Sequence, residues 1–533
     1  MTVPPGSITG KVCAEMSGQP LRAARTLSVA IVGLQGQVME VETALHQGLP
    51  AVQLIGLPDT AAAEARERVR AAVIATGLTW PSVRLVVNLR PADLRKSGSG
   101  FDLAVAVAVL RAAGLAPSGR AEHRVHLGEL GLDGTVHPVR GVLPAVAAAV
   151  AAGHTEVVVP ADNVPEAELV PGAEVTGVQH LSELAFAYGA EGLRTLPPAP
   201  LDRSGPSALP QPVAKDLADV IGQEQARHAL EVAAAGGHHL FLNGPPGAGK
   251  SMLAACLPGL LPDLDDEAAV EVTTVHSVAG SYQPATGLIR RPPYEAPHHT
   301  ASKAAIIGGG SRTLRPGAVV RAHRGVLFLD EAAEFPRSVL DTLRQPVEEG
   351  HVMLQRAKET ATYPCRVQLV LAANPCPCGW ASGKGLRCRC SASALRHYQN
   401  KLSGPLLDRV DIRVDVASVT RAQLLGAAAG ESSAAVAARV AAARQAQARR
   451  WSDTPWRTNA EVDGPWLRAY TRRINNALLD PLRRPSDPSE LTMRGVDRVV
   501  RVAWTLADLH GLDHPGSAEI GAALTLRNRD LNV

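Results

Sequence analysis

Gly244-Pro245-Pro246-Gly247-Ala248-Gly249-Lys250-Ser251 is the string in this chain whose residue types and spacing most narrowly specify a chemistry. It follows an apolar run, His239 to Leu242 closed by Asn243, and precedes a helix-prone segment, Met252 to Leu257. Strand, glycine-rich loop and helix, in that order, are the context in which such a pattern cradles a polyphosphate. The glycines let successive backbone N–H groups turn inward, and the helix start adds its positive dipole. Lys250 can reach β- and γ-phosphates, and the Ser251 hydroxyl can take a place on Mg²⁺. An accidental Gly/Pro turn would not bring both correct flanks with it, so a nucleoside triphosphate is the expected ligand.

Further along, the apolar strand Gly325 to Leu329 ends in Asp330 and Glu331. Asp330 fits the acid that holds Mg²⁺, and Glu331 fits the base that orients and activates water. Gln368 to Ala373 is a second buried strand with a polar end, Asn374, placed to hold the attacking water. Arg409, between Asp408 and Asp411, sits at a helix-to-strand junction away from the phosphate loop. It reads either as an arginine finger reaching a neighbouring subunit's nucleotide or as half of an ion pair with Asp408 or Asp411. Arg494, at the head of a later helix, is a candidate second arginine sensing the γ-phosphate in cis. Four of the seven cysteines, Cys376, Cys378, Cys388 and Cys390, fall within fifteen residues. Four thiolates so close suit tetrahedral Zn²⁺, though the C-x-C pairs are tighter than the usual C-x₂-C, and reduced thiols or a redox pair stay open.

These groups need scaffolds. At 533 residues the chain has room for about three domains, and its net charge of +3 announces no nucleic-acid partner. No run of 18 or more apolar residues marks a membrane span. Residues 1–21 are polar and carry Glu15, so they read as a disordered extension, not a signal peptide. With no export signal, the cysteines point to a cytoplasmic setting. Residues 22–195 alternate short β runs and helices. Strands are predicted at 51–55, 83–89 and 155–159, helices at 61–76, 102–113 and 142–152, and a hairpin at Asp133-Gly134. Residues 196–214 hold six prolines between Pro197 and Pro212 and read as a linker. An NTPase core spans 215–416, with the cysteine knuckle at 376–390, and a helical lid spans 417–533.

The order of these motifs resembles AAA+ ATPases with a parallel-sheet P-loop core. Pro297-His298-His299, Gly308 to Gly310, Pro316-Gly317, Leu343 to Pro346 and Asn374 to Gly379 are similar to one bacterial branch, the magnesium-chelatase-like ComM (YifB) family. That resemblance covers about residues 25 to 530. It implies ATP with Mg²⁺, a hexameric homo-oligomer, and a helicase driving branch migration of DNA junctions in homologous recombination during natural transformation. Arg409 and Arg494 match the family's finger and second-sensor positions. The N-terminal domain resembles the Lon-protease fold (ribosomal S5 domain 2-like), but Gly100 and Leu143 stand where the Ser/Lys dyad would be. Ser99 is the neighbouring serine, with no evident base, so a scaffold is expected and not a protease.

Local charge is more telling than the total. Between Ile289 and Arg324 lie Arg290, Arg291, Lys303, Arg312, Arg315, Arg321 and Arg324 against one acid, Glu295. From Thr360 to Leu407 no carboxylate occurs, while Arg366, Lys384, Arg387, Arg389, Arg396 and Lys401 do. A hairpin predicted over 352–362 carries Arg356 and Lys358 near its tip. Such stretches are either solvated faces or pore loops for DNA, bound through phosphates without sequence preference. The competing function is a motor acting on a protein partner, as in magnesium chelatase.

Overall fold

The computed structural model describes residues 22–91, 98–194, 215–310, 314–356, 359–381, 387–402, 404–419, 430–474, 479 and 492–527. The extension 1–21, the linker 196–214, Lys96, Arg312, Lys358 and Lys384 lie outside these residues. The chain divides into two compact units. One runs to Ala208 and includes His276–Leu288; the other comprises Leu209–Val275 and Ile289–Val533.

The first unit is built on a seven-stranded mixed sheet. Its two longest strands, Arg22–Val32 and Gln35–His46, form an antiparallel hairpin registered from Arg22↔Leu45 to Val32↔Gln35. Only short β runs were expected here. Met39, Val41, Thr43 and Leu45 are buried while the residues between them are only partly so. That is the period-2 signature, with Glu40 and Glu42 on its polar half. The helix Asp102–Ala112 buries ten of its eleven residues, as an all-round apolar helix must. The predicted strands, helices and the Asp133-Gly134 hairpin are all present, with bounds shifted by at most two residues.

In the second unit, five parallel strands lie in the order Tyr294–Glu295, Val326–Leu329, Gln368–Ala373, Leu240–Asn243 and Ile412–Asp415. Val326–Leu329 and Gln368–Ala373 are buried at every position, as strands covered on both faces require. Lid helices Ser433–Arg450, Met493–Leu509 and Ser517–Arg527 send Val440, Val499, Ala503, Leu506 and Ile520 into the same core as Leu240 and Leu242. The lid also holds its own aromatic nucleus, in which Trp451 and Trp504 are fully buried. Both indole N–H groups are satisfied, to Asn459 Oδ1 at 3.0 Å and Thr471 Oγ1 at 2.9 Å. No helix among the described residues is long and apolar enough to cross a membrane.

Candidate nucleotide site

Three neighbouring strands deliver the site at their carboxyl ends. Leu240–Asn243 runs into the glycine-rich loop, Val326–Leu329 into Asp330-Glu331, and Gln368–Ala373 into Asn374. Gly247 and Gly249 take φ of +76° and +91°, which a side chain would resist, and so turn the loop back on itself. Lys250 Nζ donates to the carbonyls of Gly244 (2.6 Å) and Pro245 (2.9 Å) and to Asn374 Oδ1 (3.0 Å). Burial lowers its pKa, and the nearby Asp330 and Glu331 oppose that fall. Ser251 Oγ donates to Asp330 Oδ2 at 2.6 Å, and the second Asp330 oxygen accepts from the Glu331 N–H at 2.8 Å.

Glu331 adopts a left-handed backbone, φ +50°, and its carboxylate lies 3.2 Å from His299 Nδ1. Sequence reasoning gave His299 no role, although it stands in the quoted Pro297-His298-His299 string. Gln223 was missed altogether: its amide reaches the Ala248 and Ala417 carbonyls and ties the phosphate loop to the segment after the last strand. Lys250, Ser251, Asp330, Glu331 and Asn374 thus converge, as a site for a metal-bound triphosphate requires.

Arg409 and Arg494 do not join them. Both line a cleft of about 770 Å³ with His239, Gln368 and Asp411, residues at the opposite, amino-terminal ends of the strands. The Arg409 guanidinium pairs with Glu348, donates to the Pro405 carbonyl at 2.8 Å, and leaves Nε buried without a partner. Arg409 holds the Glu348 carboxyl below its usual range. Neither expected partner of Arg409 is used. Asp411 takes Arg498 at 3.0 Å and His238 at 3.4 Å, while Asp408 faces Arg494 at 4.0 Å and Arg527 at 3.8 Å. Arg494 is largely exposed and lines this cleft at the strand starts, whereas the phosphate loop follows a strand's carboxyl end.

Next to Asn374, the four thiols gather. Cys376 Sγ lies 3.3 Å from Cys378 Sγ and 3.8 Å from Cys388 Sγ, Cys378 and Cys388 are 3.8 Å apart, and all four sulfurs fall within 4.8 Å of one another. A tetrahedron with Zn–S bonds of about 2.3 Å has S···S edges of about 3.8 Å, so the donor set fits Zn²⁺. Backbone N–H donors from Arg389 and Trp380, with Cys376, pull the Cys378 thiol down to about 6, in favour of thiolate.

Three family models match the chain: "Magnesium chelatase, subunit ChlI" over residues 216–424, "Subunit ChlI of Mg-chelatase" over 41–163, and "Magnesium chelatase, subunit ChlI C-terminal" over 430–527. An uncharacterized Mycobacterium tuberculosis protein is 54% identical over 94% of this chain and 98% of its own length. The uncharacterized Escherichia coli protein YifB is 38% identical over 91% and 93%, and the Haemophilus influenzae competence protein ComM 36% over 94% and 96%. The chain belongs to the magnesium-chelatase-like AAA+ family of the ComM/YifB type. This family is one of ATPases, which implies ATP with Mg²⁺ as cofactors.

Membership in the ComM/YifB type also frames what the sequence misjudged. Four of the six described cations between 289 and 324 are neutralised, Arg290 by Asp266, Arg291 by Asp263, Arg321 by Glu295 and Arg324 by Glu271. Three of those acids lie outside the stretch whose charge was counted. In the first unit, Leu143, at the lysine position, is a buried core residue, and the hydroxyl of Ser99, beside the nucleophile position Gly100, is bonded to Glu129.

Proposed function

We propose that this chain is the subunit of a homo-hexameric ring, an ATP-driven helicase that moves on single-stranded or branched DNA without sequence preference and promotes branch migration in homologous recombination. The observation that carries this reading is the split of the catalytic set across the parallel sheet. The carboxyl end of the sheet binds and activates, and the amino-terminal end bears Arg409 and Arg494 in an open cleft. A head-to-tail ring brings the second end of one copy to the first end of the next. Both arginines then act in trans, which revises the cis role expected of Arg494.

In this reading Gly244 to Ser251 cradle the phosphates, and Ser251 and Asp330 hold Mg²⁺. Bound there, Mg²⁺ would supply positive charge against the phosphate oxygens. Glu331 takes the proton of the attacking water, oriented by His299, while Asn374 sits beside Lys250 to position that water. Arg409 meets the charge developing on the γ-phosphate of the neighbouring copy. Cys376, Cys378, Cys388 and Cys390 hold a structural Zn²⁺. The likeness to a protein named for competence supports a role in natural transformation, in a cytoplasmic setting.

A second reading, a motor acting on a protein partner, is favoured by the family models named for the magnesium chelatase subunit. ATPase assays with single-stranded or four-way-junction DNA separate the two. Stimulation that falls steeply with salt is expected for the DNA motor. Turnover indifferent to DNA at low salt would overturn it in favour of a protein partner.

A further inference from the structure

We propose that the described parts of the cysteine knuckle, residues 376–381 and 387–390, form a docking surface for the phosphate backbone of single-stranded nucleic acid, placed so that the nucleotide state reaches it directly. This rests on reading the chain as a DNA motor, and it adds where the strand is held.

The thiols of Cys388 and Cys390 face Cys376 and Cys378, and the intervening Arg387 and Arg389 are exposed. The Arg387 guanidinium lies 5.5 Å above the ring of Trp380, which is 36% exposed. Arg396 and His397 are exposed on the helix that follows, Ala392–Lys401. Among the described residues no carboxylate pairs with Arg387, Arg389 or Arg396, and the sequence has none from Thr360 to Leu407. Most cations of the 289–324 stretch are paired; these are not. An uncompensated cationic surface beside a half-exposed indole suits a strand whose phosphates are spaced along its backbone and whose bases are free to stack. An acidic protein surface would use the cations and leave the indole without a partner.

The knuckle is also seated on the nucleotide site. Gly379 has φ +81°, and a Cβ there would come within 2.5 Å of Pro246 Cδ in the phosphate loop. Cys376 follows Asn374 by two residues, and the buried Tyr398 of the next helix lies near the Asn374 backbone. Any displacement of Asn374 or of the phosphate loop is therefore handed to Cys376 and Cys378 through covalent and packed contacts. A Zn²⁺ held by the four clustered sulfurs would tie Cys388 and Cys390, and the arginines beside them, to that pair.

The test uses the full chain with a non-hydrolysable ATP analogue, a labelled oligothymidylate, and fluorescence anisotropy over a salt series, with zinc measured in every preparation. Arg387→Ala/Arg389→Ala is expected to weaken binding by at least about tenfold at low salt and to flatten the slope of log K against log salt by about 1.4, two single-strand phosphate contacts. Trp380→Ala weakens binding several-fold at unchanged slope, and Arg387→Lys/Arg389→Lys retains the wild-type slope. Wild-type affinity and slope in the alanine pair would overturn the knuckle's role while leaving the motor reading intact. A wild-type chain that binds no strand at all would overturn the motor reading itself.

Discussion

Lys250 is held by three oxygen acceptors within 3.0 Å, so its ammonium is oriented before any ligand arrives. Burial works against its charge, and the Asp330 and Glu331 carboxylates work for it. Asp330 spends one oxygen on Ser251 and the other on a backbone N–H, which fixes its plane for a metal. Glu331 is different. Its left-handed backbone costs about 1 kcal/mol or more for a residue with a Cβ, and it leaves the carboxylate exposed apart from His299. A strained residue with a free carboxylate is what a base needs and what a structural acid does not. Glu331→Gln is accordingly expected to keep ATP affinity within about twofold while turnover falls by at least about 10²-fold. Equilibrium nucleotide binding beside single-turnover hydrolysis checks this, and hydrolysis at the wild-type rate would reassign the base.

Elements explain why some of these residues were legible in the sequence and others were not. The phosphate loop, Asp330-Glu331 and Asn374 each follow an apolar run that must be a buried strand, so local pattern alone placed them at strand ends. The partner of Arg409 was not legible, because Glu348 lies 61 residues away and nothing local links the two. The place of Arg494 in the cleft was not legible for the same reason, since packing of the lid against the strand starts decides where a lid helix points. Charge counted along the chain overstated the 289–324 surface because Asp263, Asp266 and Glu271 come from an earlier helix and its lead-in loop. One element-scale consequence concerns the contact between knuckle and phosphate loop. Gly379→Ala adds a methyl where φ is +81° and Pro246 is already in contact, so the loop must shift. ATP affinity is expected to drop about tenfold, about 1.4 kcal/mol, with zinc content unchanged. Isothermal titration with the ATP analogue reads the outcome, and wild-type affinity would show that the knuckle does not seat the loop.

At the scale of the whole molecule, the phosphate-loop residues and the two arginines occupy opposite ends of one parallel sheet, so on the proposed reading a single copy holds all the parts without being able to use them together. Ring closure resolves this, and it makes a specific demand on mixtures of inactive subunits. An Arg409→Ala chain keeps an intact phosphate loop and Glu331, and a Glu331→Gln chain keeps an intact Arg409. Each alone is expected to hydrolyse ATP at least about 10²-fold more slowly than wild type. Mixed one to one and assembled with ATP and Mg²⁺, about a quarter of the interfaces in randomly mixed head-to-tail rings pair the two intact halves. ATPase activity of the mixture is the measurement. Recovery to about a quarter of the wild-type rate is predicted, and a mixture no faster than the mean of its two components would contradict a site shared between copies.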